Sequence, residues 1–312
     1  MNQKKVPIAV VVSDIHLREN TPRARAAEPS WEAVQIRHLA EVERVATKRG
    51  VPVIIAGDLF HRWDTTANTI NLALANLPQA YAVPGQHDLP HHRMEDISQS
   101  AYWTCVLAEK ITHLTEPEAI EVNGVTCVLY PFGWGQPLLP LKRKKSDDRI
   151  HIAVVHASIY LSKEHKGVSD DQMLDRWEPL CRGYDFAVFG DNHQGFVEQA
   201  KGCLVVNCGG MIPTNIDQIS QKTGFCLLYS DGTAERMWFD LSEDLWSLQQ
   251  TTAKATDSED AAVKSIIHAL TAFQSMDLKF PDAVREVLIG LGGAVSPDAR
   301  QYIGVVLEET RA

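Results

Sequence analysis

Seven residues with metal-binding side chains follow the ends of short apolar runs. Asp14 and His16 come after Pro7–Val12, Asp58 after Val53–Ala56, Gln86 after Ala80–Val83, His156 after 151–155, and Asp191 with His193 after 186–189. Together they offer carboxylate and carboxamide oxygens and imidazole nitrogens, a mixture that suits manganese, iron or zinc better than calcium or magnesium. Asp14 and His16 are two apart, as are Asp191 and His193. An extended chain would place both members of each pair on one side, with Ile15 turned toward the interior. Gly57, Gly85 and Gly190 stand beside these residues, where the backbone has to turn tightly.

The elements that must position this set are legible in the pattern. The Val- and Ile-rich runs are short and continuous, as strands buried on both faces are. Ile36, Leu39, Val42 and Val45 recur at helical spacing within Trp31–Arg49, and Gly50 follows as a stop signal. A second helix is expected over 65–77. Strand, helix, strand, helix, strand is an α/β order, and in such sheets the loops beyond the carboxyl ends of the strands form the ligand crevice. The later part changes character: Asn123-Gly124 between 119–122 and 125–130, and Ser230-Asp231-Gly232 between 225–229 and 234–239, mark two hairpins. The expectation is an α/β sandwich of two mixed β-sheets flanked by helices, with a small helical C-terminal tail. Residues 1–247 are read as the catalytic domain, the polar stretch 248–260 as a linker, and 261–312 as a small helical region. The apolar face carried by Val263, Ile266, Ile267 and Leu270 packs on the main domain or docks a coiled-coil partner.

Composition sets further limits. With 45% hydrophobic and 22% charged residues, the chain can bury a large core. Its formal net charge of −10 excludes coating nucleic acid through bulk electrostatics, which needs clustered Lys and Arg. Local contacts remain open for Arg18, Arg23 and Arg25, which follow the first ligand pair. Lys142 to Lys145 reads as a solvated loop. Trp31, Trp63, Trp103 and Trp134 are packing residues by default, with base stacking as the alternative. His38, His91, His92, His113, His151, His165 and His268 are read as structural or exposed, because an isolated histidine is more often that than a ligand. The six cysteines are scattered without a CxxC pair, which implies buried reduced thiols. The first apolar run is too short for a signal segment or a membrane span, so a cytoplasmic protein with no membrane association is expected.

Taken in order, Asp14-Ile15-His16, Gly57-Asp58, Gly85-Gln86-His87-Asp88, His156 and Gly190-Asp191-Asn192-His193 resemble the DxH, GD, GNH[DE], H and GHxH series of the calcineurin-like metallophosphoesterase superfamily, over roughly residues 6–240. The resemblance implies two divalent metal ions, manganese first, with iron, zinc or magnesium as alternatives. Asp14, His16 and His193 would hold one, and Gln86, His156 and Asp191 the other, with Asp58 between them. His87 falls where the family has its phosphate-contacting or leaving-group-protonating histidine. Such ions lower the pKa of a water and clamp the attacking and leaving oxygens of an in-line displacement. Gln86 replaces the usual Asn and Asp191 the usual first His, both at the second ion, which should make that site harder in ligand character.

Gly57-Asp58-Leu59-Phe60-His61 further resembles the GDLFH segment of SbcD-like DNA-repair exonucleases, and makes His61 a second active-site histidine. This implies a DNA exonuclease or endonuclease, with DNA as substrate and an SMC-type ATPase or a second copy of the chain as partner. Two alternatives stand beside it. One is a phosphodiesterase or phosphatase acting on a nucleotide or other small phosphate ester. The other is a binding or scaffold relative weakened in catalysis by Gln86 and Asp191.

Overall fold

β-Branched residues pack well on a pleated surface, and each Val- and Ile-rich run is a strand in the computed structural model. The structure describes residues 5–144, 146–162, 168–215 and 218–247, all within the unit Met1–Ser247. The expected linker at 248–260 and helical region at 261–312 lie outside the described residues, as do His165 and His268.

The first half runs β1 (Pro7–Val12), α1 (Trp31–Arg49), β2 (Val53–Ala56), α2 (Ala67–Asn76), β3 (Ala80–Val83), α3 (Ala101–Leu107) and β4 (Ile111–His113). It continues with β5 (Glu118–Val122), β6 (Val125–Phe132), β7 (Ile150–His156), α4 (Leu174–Trp177), β8 (Phe186–Gly190), β9 (Phe196–Ala200), β10 (Cys203–Asn207), β11 (Gly224–Tyr229) and β12 (Ala234–Trp238). Two six-stranded sheets result, ordered β12-β11-β1-β2-β3-β4 and β5-β6-β7-β8-β10-β9. Both are mixed. β1 to β4 are parallel neighbours while β11 joins β1 antiparallel. In the second sheet β6, β7, β8 and β10 are parallel, with antiparallel β5 and β9 at the edges.

Alternation along the strands builds three apolar layers. Ile8, Val11 and Ile54 of the first sheet meet Ile152, Val154, Phe186 and Val188 of the second in one buried cluster. The opposite face of the first sheet, with Val10, Val12, Val53 and Ile55, packs on Val34, Leu39, Val42 and Val45 of α1 and on Leu72 and Tyr102. Ala153, Val155, Ala187 and Phe189 bury the outer face of the second sheet under Ile159, Tyr184 and neighbours. Strands covered on both sides cannot show alternating polarity, which is why they read as unbroken apolar runs.

Local signals act where they were expected. The Ser30 side chain accepts the Ala33 N–H and starts α1, and Gly50, left-handed at φ 62°, ends it. Ile36 is only partly buried; Trp31, Val34 and His38 complete the inward face instead. Asn123 and Gly124 both have positive φ, 52° and 78°, the backbone a two-residue hairpin needs. All six cysteines are free and buried. Among the described residues, no helix is long and apolar enough to cross a membrane.

Candidate active site

The carboxyl ends of β1, β2, β3, β7 and β8 meet where the two sheets face each other. His156, the last residue of β7, makes the join: its Nδ1–H donates to the Ala56 carbonyl at the end of β2 at 2.7 Å, which leaves Nε2 as the ligating nitrogen. Gly57 must be glycine here, because its φ is 87° and a Cβ would collide with the His156 ring. Gly85 serves the same closeness without positive φ, since a Cβ there would strike the Asp58 carboxylate.

Asp14 and His16 share a side for a reason other than the expected extended chain. Asp14, His16, Asp58 and Asp191 all have positive φ, at 51°, 50°, 53° and 88°. After β1 the chain is redirected by bonds from Asp14 N to Gly57 O and from His16 N to Asp58 O, and each kink turns a side chain into the crevice. Ile15 is buried, as the alternation required. Four non-glycine residues in left-handed backbone cost roughly 1–3 kcal/mol each and persist only where the surroundings over-determine them.

Donor atoms from remote segments converge. Asp14, His16 and His193 form one group of closely spaced ligand atoms, and Asp14, Asp58 and His156 a second. His16 Nε2 is 3.9 Å from Asp14 Oδ1, 3.7 Å from Asp58 Oδ2 and 3.1 Å from His193 Nε2. His156 Nε2 is 3.5 Å from Asp58 Oδ2 and 2.7 Å from Gln86 Oε1. His193 is exposed, with Nε2 3.7 Å from Asp14 Oδ1. Asp191 belongs to neither group: its Oδ1 accepts from Gln86 Nε2 at 2.6 Å, its Oδ2 from the Ser158 hydroxyl, and its main-chain N–H donates to both Asp14 oxygens at 3.0 Å.

These residues fit a pair of cations. Asp58 Oδ2, which faces both His16 Nε2 and His156 Nε2, is buried without a hydrogen-bond partner, a costly condition for a polar atom. Two donors each about 2.1 Å from one ion are roughly 3–3.5 Å apart, close to the separations around Asp58 and too long for most hydrogen bonds.

Electrostatics agree with that reading. Burial pushes the Asp14 carboxyl up and the His16 imidazole well down, so His16 is neutral and able to ligate at neutral pH. Burial would also raise Asp58, but His156, His16 and His87 hold it at about 2. Burial favours neutral His156, yet the Asp58 and Asp14 carboxylates and the Ala56 carbonyl outweigh it and raise the ring to about 10. In the ion-free protein a proton on His156 thus stands in for cationic charge.

A second histidine group borders the first. His16, His61 and His87 form a further cluster of closely spaced ring nitrogens, and the His61 and His87 rings stack at 5.5 Å. His87 Nδ1 donates to the His61 carbonyl at 2.8 Å, and the His87 main-chain N–H donates to Asp58 Oδ1 at 2.9 Å. Burial, helped by Arg18, His87 and Arg62, lowers His61 to about 4. Neutral His61 Nε2 then accepts from Arg18 Nη1 at 3.4 Å.

Asp88, named only as part of its motif, locks the two loops together. Its carboxylate accepts the main-chain N–H groups of Leu59, Phe60 and Gly85 at 3.2, 3.0 and 3.0 Å. The wholly buried group is pushed up to about 7 by burial and by Asp58. Ser158 and Asn192 were also missed. Asn192 ties the loops after β7 and β8 by donating to the Ile159 carbonyl at 2.7 Å; it stands at the variable position of the Gly190–His193 motif, and Ser158 lies in no motif.

Of the arginines expected near nucleic acid, Arg18 reaches the site, while Arg25 does not. Arg25 is fully buried, bonded to Glu28 at 2.5 Å, to Asp244 at 2.6 Å and to the Pro213 carbonyl at 3.0 Å, with Trp246 against its guanidinium. Two carboxylates and an aromatic face hold it in the interior. Arg143 of the basic loop is occupied by Asp185. Trp31 is buried in the core, and Trp103 packs at its edge. Trp63, His91 and His92, by contrast, line the cleft beside His87.

The profile of the calcineurin-like phosphoesterase family matches residues 9–195, a span that includes every residue of the two donor groups. The chain belongs to the calcineurin-like phosphoesterase family. Phosphoesterases of this family are metal-dependent hydrolases that typically bind two divalent ions. No curated protein matches the chain. Similar solved structures include an archaeal phosphodiesterase, 14% identical over 74% of this chain and 99% of that one, with a TM-score of 0.37. The calcineurin-like phosphoesterase YfkN of Bacillus subtilis is 12% identical over 78% and 93%, with a TM-score of 0.47. A Thermus thermophilus protein is 13% identical over 75% and 99%, with a TM-score of 0.43.

Proposed function

We propose that this phosphoesterase hydrolyses phosphodiester bonds in DNA, as a nuclease of SbcD type, with manganese as the favoured ion. The observation that carries the reading is the stacked His61 and His87 pair set against the donor groups. A diester has a poor alkoxide leaving group that needs a proton. His87, oriented through Nδ1 by the His61 carbonyl, would supply it from Nε2 as the imidazolium, an effect typically worth about 100-fold to 10,000-fold.

In this reading Asp14, His16 and His193 hold one ion and Gln86 and His156 the other, with Asp58 shared and Asp191 either ligating or orienting Gln86 from behind. Two divalent ions, when bound, supply the positive charge that draws in phosphate oxygens and acidifies the attacking water. The protein's own part is to keep the donors rigid through Asp88, to keep His16 neutral, and to present His61, His87 and Arg18 to the anionic phosphate. Arg18 also turns His61 through its contact with Nε2.

The test is a manganese-dependent assay on single- and double-stranded DNA beside chromogenic mono- and diesters, with Asp58→Asn as control. DNA and diester cleavage that disappears in the control is expected. Turnover confined to a small monoester would contradict the nuclease reading, and no turnover with fewer than two bound ions would favour a scaffold.

A further inference from the structure

We infer that the cleft beside His87 is a pocket for a single unstacked nucleobase, held against Trp63 and His91. The inference rests on the diester reading above and adds which group of the substrate the chain grips. The cleft has a volume of about 340 Å³ and is lined by Gln86, His61 and His87 of the reacting site together with Trp63, Leu89, His91 and His92. That volume is at the lower end of the range for small-ligand pockets, about 300–1,000 Å³, so it suits one nucleoside and not a helix.

The Trp63, Leu89 and His91 lining has the character a base requires and a phosphate does not. Leu89 is buried and gives an apolar floor. The Trp63 and His91 rings are 5.6 Å apart and inclined at 54°, a packed pair whose cleft-facing surface offers aromatic area on which a base can stack. Among the described residues, the one Arg or Lys that lines the cleft, Arg62, is bound by both oxygens of Asp64 at 2.9 Å, so its charge is already matched. Anion-attracting groups lie instead at the reacting end, where Arg18 sits against His61. A phosphate at His87 would thus leave its attached base facing an aromatic and apolar surface, where stacking accepts any base because each has a π face.

This aromatic surface is also built in advance. His91 and His92 both have positive φ, 52° and 58°, strain that needs local support. That support comes from His92 Nδ1, which donates to the Gln86 carbonyl at 3.1 Å, and from the His92 main-chain N–H, which donates to Leu89 O at 3.1 Å. The same Gln86 whose side chain meets His156 therefore holds His92, next to His91, through its main chain.

NMR titration of the metal-free protein with thymidine 5′-monophosphate and with 2-deoxyribose 5-phosphate tests this without relying on turnover. The two ligands differ only by the base. The wild type should bind the nucleotide about 10-fold more tightly, and Trp63→Ala and His91→Asn should each reduce that preference toward none. Trp63→Ala keeps the main-chain carbonyl that accepts Ala101 N–H at 2.8 Å, and asparagine tolerates the left-handed backbone at position 91. Equal affinities in the wild type, or a preference undiminished in Trp63→Ala, overturn the pocket. Failure to cleave any diester refutes the reading under Proposed function and leaves this binding ratio to be judged separately.

Discussion

Gln86 Oε1 lies 2.7 Å from His156 Nε2, the same nitrogen that stands 3.5 Å from Asp58 Oδ2. The longer side chain at this position thus still brings a carboxamide oxygen to the imidazole and carboxylate that would share an ion with it. Gln86→Ala should weaken the second ion by at least about 10-fold to 100-fold, the range for losing a supporting ligand contact, and leave the first in place. Manganese titration followed by metal analysis reads both stoichiometry and affinity. Two ions bound as tightly as in the wild type would show that Gln86 takes no part.

His87 differs from the donors in making no close contact with a carboxylate oxygen through its ring; only its main-chain N–H reaches Asp58. His87→Ala is therefore expected to keep its metal content while turnover of a diester falls about 100-fold to 10,000-fold. The loss should be smaller for a p-nitrophenyl diester, whose leaving group needs less protonation. Full activity on both substrates would remove the proton-donor role.

The raised His156 imidazole has a pH consequence with a definite sign. Its proton, held up to about 10 against an ordinary 6.5, stabilises the ion-free fold. That contribution is fully present below 6.5 and is lost as pH rises through about 10. An ion at Nε2 must displace the proton, so affinity should rise by about tenfold per pH unit between pH 7 and 9 from this group alone. Calorimetric titration in buffers of different ionisation enthalpy counts the proton directly. Binding without proton release would contradict the arrangement.

Asp88 supports the site without facing it. Asp88→Ala leaves the N–H groups of Leu59, Phe60 and Gly85 unpaired in the interior, at about 1–3 kcal/mol each. Urea unfolding of the metal-free protein should show a loss of about 3 kcal/mol or more. A change below about 1 kcal/mol would mean that the loops hold without it.

Much of this was legible because the ends of buried strands are sharp boundaries. A continuous apolar run that stops at Asp14, Asp58, Gln86 or Asp191 announces both the strand and the residue at its mouth. What failed to show was geometry set from outside the local sequence. The pairing of Asp14 with His16 follows the kinks imposed by Gly57 and Asp58 carbonyls rather than an extended chain. The fate of Arg25 was decided by Asp244, 219 positions away. Edge strands such as β4, only three residues long, carry too little pattern to be seen. Sequence could name Trp63 as able to stack but not pair it with His91, because that contact exists only in the folded chain.

The central claim is that Asp14, His16, Asp58, Gln86, His156 and His193 surround two ions. Anomalous diffraction from crystals grown with manganese tests it directly. Two peaks are expected, one against His16 and His193 and one against His156 and Gln86, with Asp58 touching both. A single peak, or peaks bound by other side chains, would contradict it.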